Sequence, residues 1–291
     1  MKKIDYPALY TAADEASNRS QAQYLGLVRS YTYLLIAGAG LSVIGIKSSI
    51  SAACAAALFI ASIFVSILMI LRNSENSWYR ARAIAESVKT STWRFMMRAD
   101  PYEDSSSVEA VKKNFRNLLR SILSEHKDLA HDLGGEIAAQ EQITEKMCSI
   151  RNSSLEERIE FYRTHRIDEQ RKWYAVKSGI NSRNSKKWFA ILIGLQSVAV
   201  ILVLLRISYP EWEYWPTEVF VVAAGSALTW IQLKRFRELA AAYGLTAHEI
   251  GVVRGELESI SAQDSFAQFV KDSENAFSRE HTQWVARKDA A

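Results

Sequence analysis

Four blocks of this chain read as uninterrupted apolar helix, and long polar stretches with helical periodicity fill the rest. The first block covers residues 31–46, bracketed by Arg29 and Lys47. The second, residues 48–71, holds no charged side chain and makes about 36 Å of helix at roughly 1.5 Å per residue. Only a short stretch, 45–49, separates these two, so a tight helical hairpin is expected. The third block covers 188–205 and the fourth 216–233. Between them Tyr209-Pro-Glu-Trp-Glu-Tyr-Trp-Pro216 offers proline breakers and aromatic side chains suited to a membrane interface. Roughly 20 apolar residues cross a bilayer as helix. The expected fold class is an all-α membrane protein, with four transmembrane helices as two hairpins and long cytoplasmic helical extensions.

The polar stretches carry their own punctuation. Asp5 and Pro7 read as a cap and a first-turn proline, opening a helix that leads into the first block. After the second block a helix is expected through about Arg98, broken at Ala99-Asp-Pro-Tyr102, because proline disfavours helical geometry in the residue before it. Another starts near Ser107, and Gly134-Gly135 marks a turn. Ser153 and Ser154, with Glu156 and Glu157 three positions on, compete as capping boxes. Leu155, Ile159, Tyr162, Trp173, Val176 and Ile180 then recur on one expected helical face. The fourth block is expected to run on as helix past Glu238 to about Leu257.

Composition changes the picture little. Mean hydropathy is −0.10, which looks soluble only because the polar middle dilutes the apolar blocks. With 4 Pro and 12 Gly in 291 residues, breakers are too scarce for a strand-and-turn fold. Cys54 and Cys148 have no partner spacing, so neither a disulfide nor a metal site is read from them. The net charge of +4 matters through its placement. Lys2, Lys3, Arg19 and Arg29 precede the first block, and Arg72, Arg80 and Arg82 follow the second. Arg183, Lys186 and Lys187 precede the third; Lys234, Arg235 and Arg237 follow the fourth. Lys47 and the acids Glu211, Glu213 and Glu218 lie on the other side. Positive residues favour the cytoplasm, so both termini are expected there. A cleaved signal peptide fits poorly, since some thirty residues with Asp14 and Glu15 precede the first block rather than a short basic lead.

Two passages go beyond generic helix: Arg80-Ala-Arg-Ala-Ile-Ala-Glu86 with Lys89, Trp93, Arg98, Pro101 and Tyr102, and Asp168-Glu-Gln-Arg-Lys-Trp-Tyr174 with Lys177, Asn181 and Trp188. Lys234-Arg-Phe-Arg-Glu-Leu239 and a tail with Phe269, Glu274, Phe277, Ser278, Glu280, His281 and Trp284 complete the pattern. Together they resemble the SLATT families, the SMODS- and SLOG-associating two-TM effector domains, as two units in tandem at 1–150 and 151–291. The resemblance implies an inner-membrane effector of a bacterial conflict system, encoded beside nucleotide second-messenger synthases or nucleotide-sensing proteins. Such an effector permeabilises the membrane and kills or arrests the cell. The expected partners are the lipid bilayer, further copies of the chain as a homo-oligomer, and a nucleotide signal or a nucleotide-sensing protein, with no nucleic-acid polymer. No catalytic residue or cofactor comes with the resemblance.

Candidate sites each carry two readings. Gly38-Ala-Gly40 with Gly45 has the wrong spacing and no preceding strand for a dinucleotide loop, and small residues there suit close helix packing. Ser51, Ala55, Ser62 and Ser66 share a face of the second block, either as a packing surface or as a weakly polar pore lining. Gln196, near the middle of the third block, needs a partner for its amide in hydrocarbon. Arg80, Arg82, Lys89, Arg94 and Arg98, and later Arg163, Arg166, Arg171, Lys172 and Lys177, suit lipid headgroups or an anionic nucleotide beside Trp93 or Trp173. His126, Asp128, His131 and Asp132 are badly phased on a helix for joint metal ligation, and His165, His248 and His281 are isolated. With no P-loop, nucleophile elbow or Ser-His-Asp order, no enzyme is expected. The competing functional reading is a non-catalytic membrane anchor or scaffold that recruits a cytoplasmic partner. A small transporter is disfavoured by the shortage of intramembrane charges.

Overall fold

The computed structural model describes residues 1–2, 5–44, 48–103, 107–129, 133–134 and 139–289, with side chains except at 128 and 278–289. Lys3, Gly45, Lys47, His131, Asp132 and Gly135 lie outside the described residues, as do the side chains of Asp128, Ser278, Glu280, His281 and Trp284. Every described element is helical: α1 Ala8–Ile44, α2 Ser49–Arg72, α3 Ser74–Met97, α4 Val108–Glu125, α5 Glu145–Arg151, α6 Leu155–Tyr162, α7 Glu169–Ser208, α8 Thr217–Lys234, α9 Phe236–Glu256 and α10 Gln263–Asp289. A π-helical turn, Arg163–Asp168, joins α6 to α7.

Local chemistry explains most helix ends. The carbonyl of Pro7 accepts from the amides of Tyr10 and Thr11, so proline stands where its missing N–H costs nothing. The Ser107 hydroxyl accepts from Ala110. Of the two competing serines, Ser154 takes the capping box, exchanging bonds of 3.2 and 3.0 Å with Glu157, while Ser153 closes the preceding turn and donates to the Ser149 carbonyl. Helix α3 ends one residue before the expected break. Arg98 sits at φ 55°, the amide of Ala99 reaches the Arg94 carbonyl and that of Arg98 the Phe95 carbonyl. This is a Schellman closure with arginine where glycine is usual.

Two expectations fail here. The run from the fourth block to Leu257 is not one helix: Arg235 adopts φ 44° and separates α8 from α9. Asn73, at φ 45°, holds the corresponding place between α2 and α3. The apolar face expected from Leu155 to Ile180 is also interrupted. The π turn adds a residue to the helix, so Arg158, Tyr162, Arg166 and Tyr174 are buried while Trp173, Val176 and Ile180 face outward.

The chain packs as two units. One comprises residues 1–22, 74–172 and 248–291. Its centre is aromatic, with Trp93, Phe95, Tyr102, Phe115, Tyr162 and Phe266 essentially inaccessible, and α10 packs against α3. The other comprises residues 23–73 and 173–247. There Phe59 of α2 fills the space a side chain at Gly38 of α1 would take, 2.8 Å from an ideal Cβ. Leu192 of α7 packs with Ala224 and Ala227 of α8, flanked by Trp188, Leu195 and Ile231. Most other large side chains of this unit point outward, Ile50 and Ile70 being nearly four-fifths exposed. Three helical runs are long and apolar enough to cross a membrane: Ala8–Ile44, Ser49–Met97 and Leu155–Ser208. Residues 216–233, the fourth expected span, fall in α8, which carries Glu218 in its first turn and Lys234 in its last and is not among the three.

Candidate functional site: a buried ionic core

In the first unit, polar side chains line one buried seam. The π turn places Arg166 with its guanidinium fully enclosed. Its Nε and Nη2 donate to the two carboxylate oxygens of Glu274 on α10 at 2.8 and 2.6 Å. The Tyr162 hydroxyl donates to the same carboxylate at 3.0 Å. Aromatic faces complete the enclosure: the guanidinium lies 4.9 Å from the ring centroid of Phe277 and 5.9 Å from that of Trp93. Trp93 in turn donates its indole N–H to Tyr6. Arg166 Nη1 is buried and meets no partner among the described residues.

The seam continues along α1 and α3. Arg82 contacts Asp14 at 3.4 Å and Glu86 at 2.6 Å, and Lys89 lies 3.8 Å from Glu86. Glu86, Lys89 and Trp93 fall on one helical face of α3, as do Tyr10 and Asp14 on α1. Burial pulls Arg166 down, but the Glu274 carboxylate more than reverses this and holds the guanidinium charged. Burial pushes the Tyr162 and Tyr6 phenols well up, and takes Tyr10, with Asp14 and Glu86 nearby, to about 12. Lys89 is held down by burial, against the pull of Glu86.

Two more buried arginines serve the backbone. Arg151 donates to the carbonyls of Phe95 and Tyr102 at 2.5 and 2.8 Å. Arg158 donates to the Met97 carbonyl at 3.1 Å and to Gln263 at 2.6 Å. The last carbonyls of a helix lack intrahelical donors and carry its negative end, so cations from α5 and α6 close the end of α3.

The basic residues expected to meet anions therefore have varied surroundings. Arg82 and Lys89 lie in the seam, Arg94 bonds Asn275 at 2.7 Å, and Arg98 bonds the Arg151 carbonyl at 2.9 Å. Arg80 is half-buried, whereas Arg171, Lys172 and Lys177 are exposed, Lys177 over the Trp173 ring. Of the serine row, Ser62 is buried with Ala55, and Ser51 and Ser66 are half-buried. The Ser62 and Ser66 hydroxyls donate to the carbonyls of Phe59 and Ser62, one turn back. Gln196 is exposed. Among the described residues no group of three metal-ligating side chains forms.

Sequence reasoning had no sign of Arg151, Arg158 or Tyr6, or of the pairing of Arg166 with Glu274. The residues quoted for the family pattern gave a better signal, since Arg82, Glu86, Lys89, Trp93, Tyr102, Glu274 and Phe277 all fall in this unit's interior or seam.

Long apolar helices and a helical unit closed around ionic pairs define a helical membrane protein with a polar, separately packed part. The chain belongs to the SLATT families: the family model for SMODS and SLOG-associating 2TM effector domain 3 matches residues 7–159, and that for effector domain 1 matches residues 162–284. These are transmembrane effector domains associated with conflict and defence systems. No curated protein and no solved structure matches the chain. The two matches follow one another along the sequence, yet the ionic seam draws Arg82, Glu86 and Trp93 from the first and Arg166 and Glu274 from the second.

Proposed function

We propose that this protein is an oligomeric effector in the inner membrane of a bacterium, switched by a nucleotide signal, whose spans permeabilise the membrane and arrest or kill the cell. The observation that carries the reading is the pair of two-transmembrane effector matches in one chain. Two such domains call for four spans in two hairpins, with α8 as the fourth. Its 18 residues give about 27 Å of helix, and Trp215 and Trp230 stand near its ends as interfacial anchors. The placement of Lys and Arg favours a cytoplasmic position for both termini.

Gln196 supports assembly. An exposed amide midway along an apolar helix finds no partner in lipid, and a second copy presents the same group. In this reading Ser51, Ser62, Ser66 and Gln196 border the permeation path. Arg80, Arg82, Lys89, Arg94, Arg98, Arg171, Lys172 and Lys177 supply positive potential for an anionic signal or for lipid headgroups. A ligand opens such an assembly only by binding the open state more tightly.

The alternative, an anchor that recruits a cytoplasmic partner, draws support from Val252, an exposed apolar side chain on α9 in the polar unit. Expression with the cognate trigger separates the readings. An effector depolarises the membrane before growth stops, and Gln196→Leu delays both events while reducing oligomer size. Growth arrest at full membrane potential would point to the anchor.

A further inference from the structure

In the polar unit, buried cations meet carboxylates or helix-end carbonyls: Arg82 and Lys89 flank Glu86, Arg166 grips Glu274, and Arg151 and Arg158 close α3. One cluster in the membrane-type unit has no such partner. Arg29 of α1 lies with its guanidinium carbon 5.3 Å from the centroid of the Trp230 ring, and Lys234 of α8 places its ammonium 5.6 Å from the same ring. Lys177 of α7 lies over a different ring, that of Trp173, with its ammonium 5.6 Å from the centroid. Trp188 lies against Trp230 with centroids 6.1 Å apart. Two helices thus bring two positive charges to one ring, and no carboxylate pairs with either of them among the described residues.

Such a convergence is unfavourable by itself. The indole face attracts each cation, but it leaves the repulsion between them uncompensated, and a partner of opposite charge removes it. Arg29 and Lys234 flank the expected spans at 31–46 and 216–233, where polar lipid headgroups and soluble ions both have access. The guanidinium can grip two oxygens of one anion, while the Lys234 ammonium acts as a mobile point charge.

We infer that Arg29 and Lys234, gathered on the Trp230 ring, form a binding site for a phosphate group, carried by an anionic lipid headgroup or by a soluble phosphate compound. The site stands whether or not the protein opens the membrane.

The test uses the full chain in neutral detergent, with thermal unfolding as one readout and bound-lipid number by native mass spectrometry as the other. The probes are phosphatidylglycerol, phosphatidylcholine and inorganic pyrophosphate. Phosphatidylglycerol or pyrophosphate raises the unfolding midpoint of the wild type, and phosphatidylcholine does not. In Arg29→Gln/Lys234→Gln the half-saturating concentration rises about tenfold or more, as expected for losing charge-assisted bonds. Without any anion this variant unfolds at or above the wild-type temperature, because repulsion has been relieved. Lys113→Gln, on α4, behaves as wild type. A response to phosphatidylglycerol alone assigns the phosphate to lipid; a response to pyrophosphate that lipid competes away assigns it to a soluble ligand. The inference is overturned if neither anion raises the midpoint, if the double variant responds like wild type, or if that variant is markedly less stable when unliganded, which would make the cations structural.

Discussion

The two units of this protein solve the burial of helices in opposite ways. In the unit built from residues 1–22, 74–172 and 248–291, the largest side chains turn inward and charged groups go with them, each against a carboxylate, carbonyl or ring. In the unit of residues 23–73 and 173–247, small residues such as Ala55, Ala224 and Ala227 turn inward and most Ile, Leu, Val and Phe side chains turn out. The first pattern is that of a water-soluble core; the second needs an apolar solvent, where helix association rests on close packing rather than on hydrophobic burial. Specificity follows from different sources too. Arg166 and Glu274 fix one arrangement by directional bonds, whereas Gly38 against Phe59 fixes another by shape.

The sharpest way to break this contrast is Glu274→Ala. Removing one partner of a buried ion pair costs about 3–5 kcal/mol, so the polar unit should lose cooperative unfolding at moderate denaturant while α7 and α8 stay protected from proteolysis in detergent. Replacing both partners, with Arg166→Met and Glu274→Leu, should recover much of the loss. An unchanged denaturation midpoint for Glu274→Ala would mean that the pair contributes nothing to the core. Gly38→Leu probes the other unit. Overpacking against Phe59 should cost about 1–3 kcal/mol, seen as a lower unfolding temperature in detergent, whereas Gly40→Leu, pointing into open space, should leave it unchanged. Equal effects of the two would remove shape-fitting from the account. The smallest expected effect has the opposite sign. Arg235 occupies left-handed backbone at a cost of about 1 kcal/mol, and its contact with Glu238 is exposed and 3.7 Å long. Arg235→Gly should therefore stabilise by about that amount in equilibrium unfolding. Arg98→Gly gains the same relief but loses the bond to the Arg151 carbonyl, worth about 1 kcal/mol, and should come out near zero.

What was legible in the sequence is what neighbouring residues decide. Apolar blocks, the Ser107 cap, the Ser154 capping box and the break after α3 all lie within a few positions of their cause. Long-range pairing left no such trace. Arg166 and Glu274 are 108 residues apart, and an arginine in a row of basic residues looks the same whether it faces a headgroup or a buried carboxylate. The left-handed residues were hidden for another reason: glycine or asparagine signals that geometry, and Asn73 conforms, but Arg98 and Arg235 do not. The fourth block looked continuous with α9 because no breaker stands at Arg235, and the face from Leu155 to Ile180 was drawn with a regular period that the π turn does not keep.

That π turn lies just past the point where one family match ends, at residue 159, and the next begins, at 162. A join between tandem domains is commonly imagined as a flexible tether. Here the join is helical on both sides and carries one surplus residue, which makes it a phase shifter. Deleting a single residue between Arg163 and Asp168 would let ordinary helix run through, and everything downstream would turn by about 100°. The ionic seam depends on this angular register, so shortening the join by one residue would disturb the polar unit more than its size suggests.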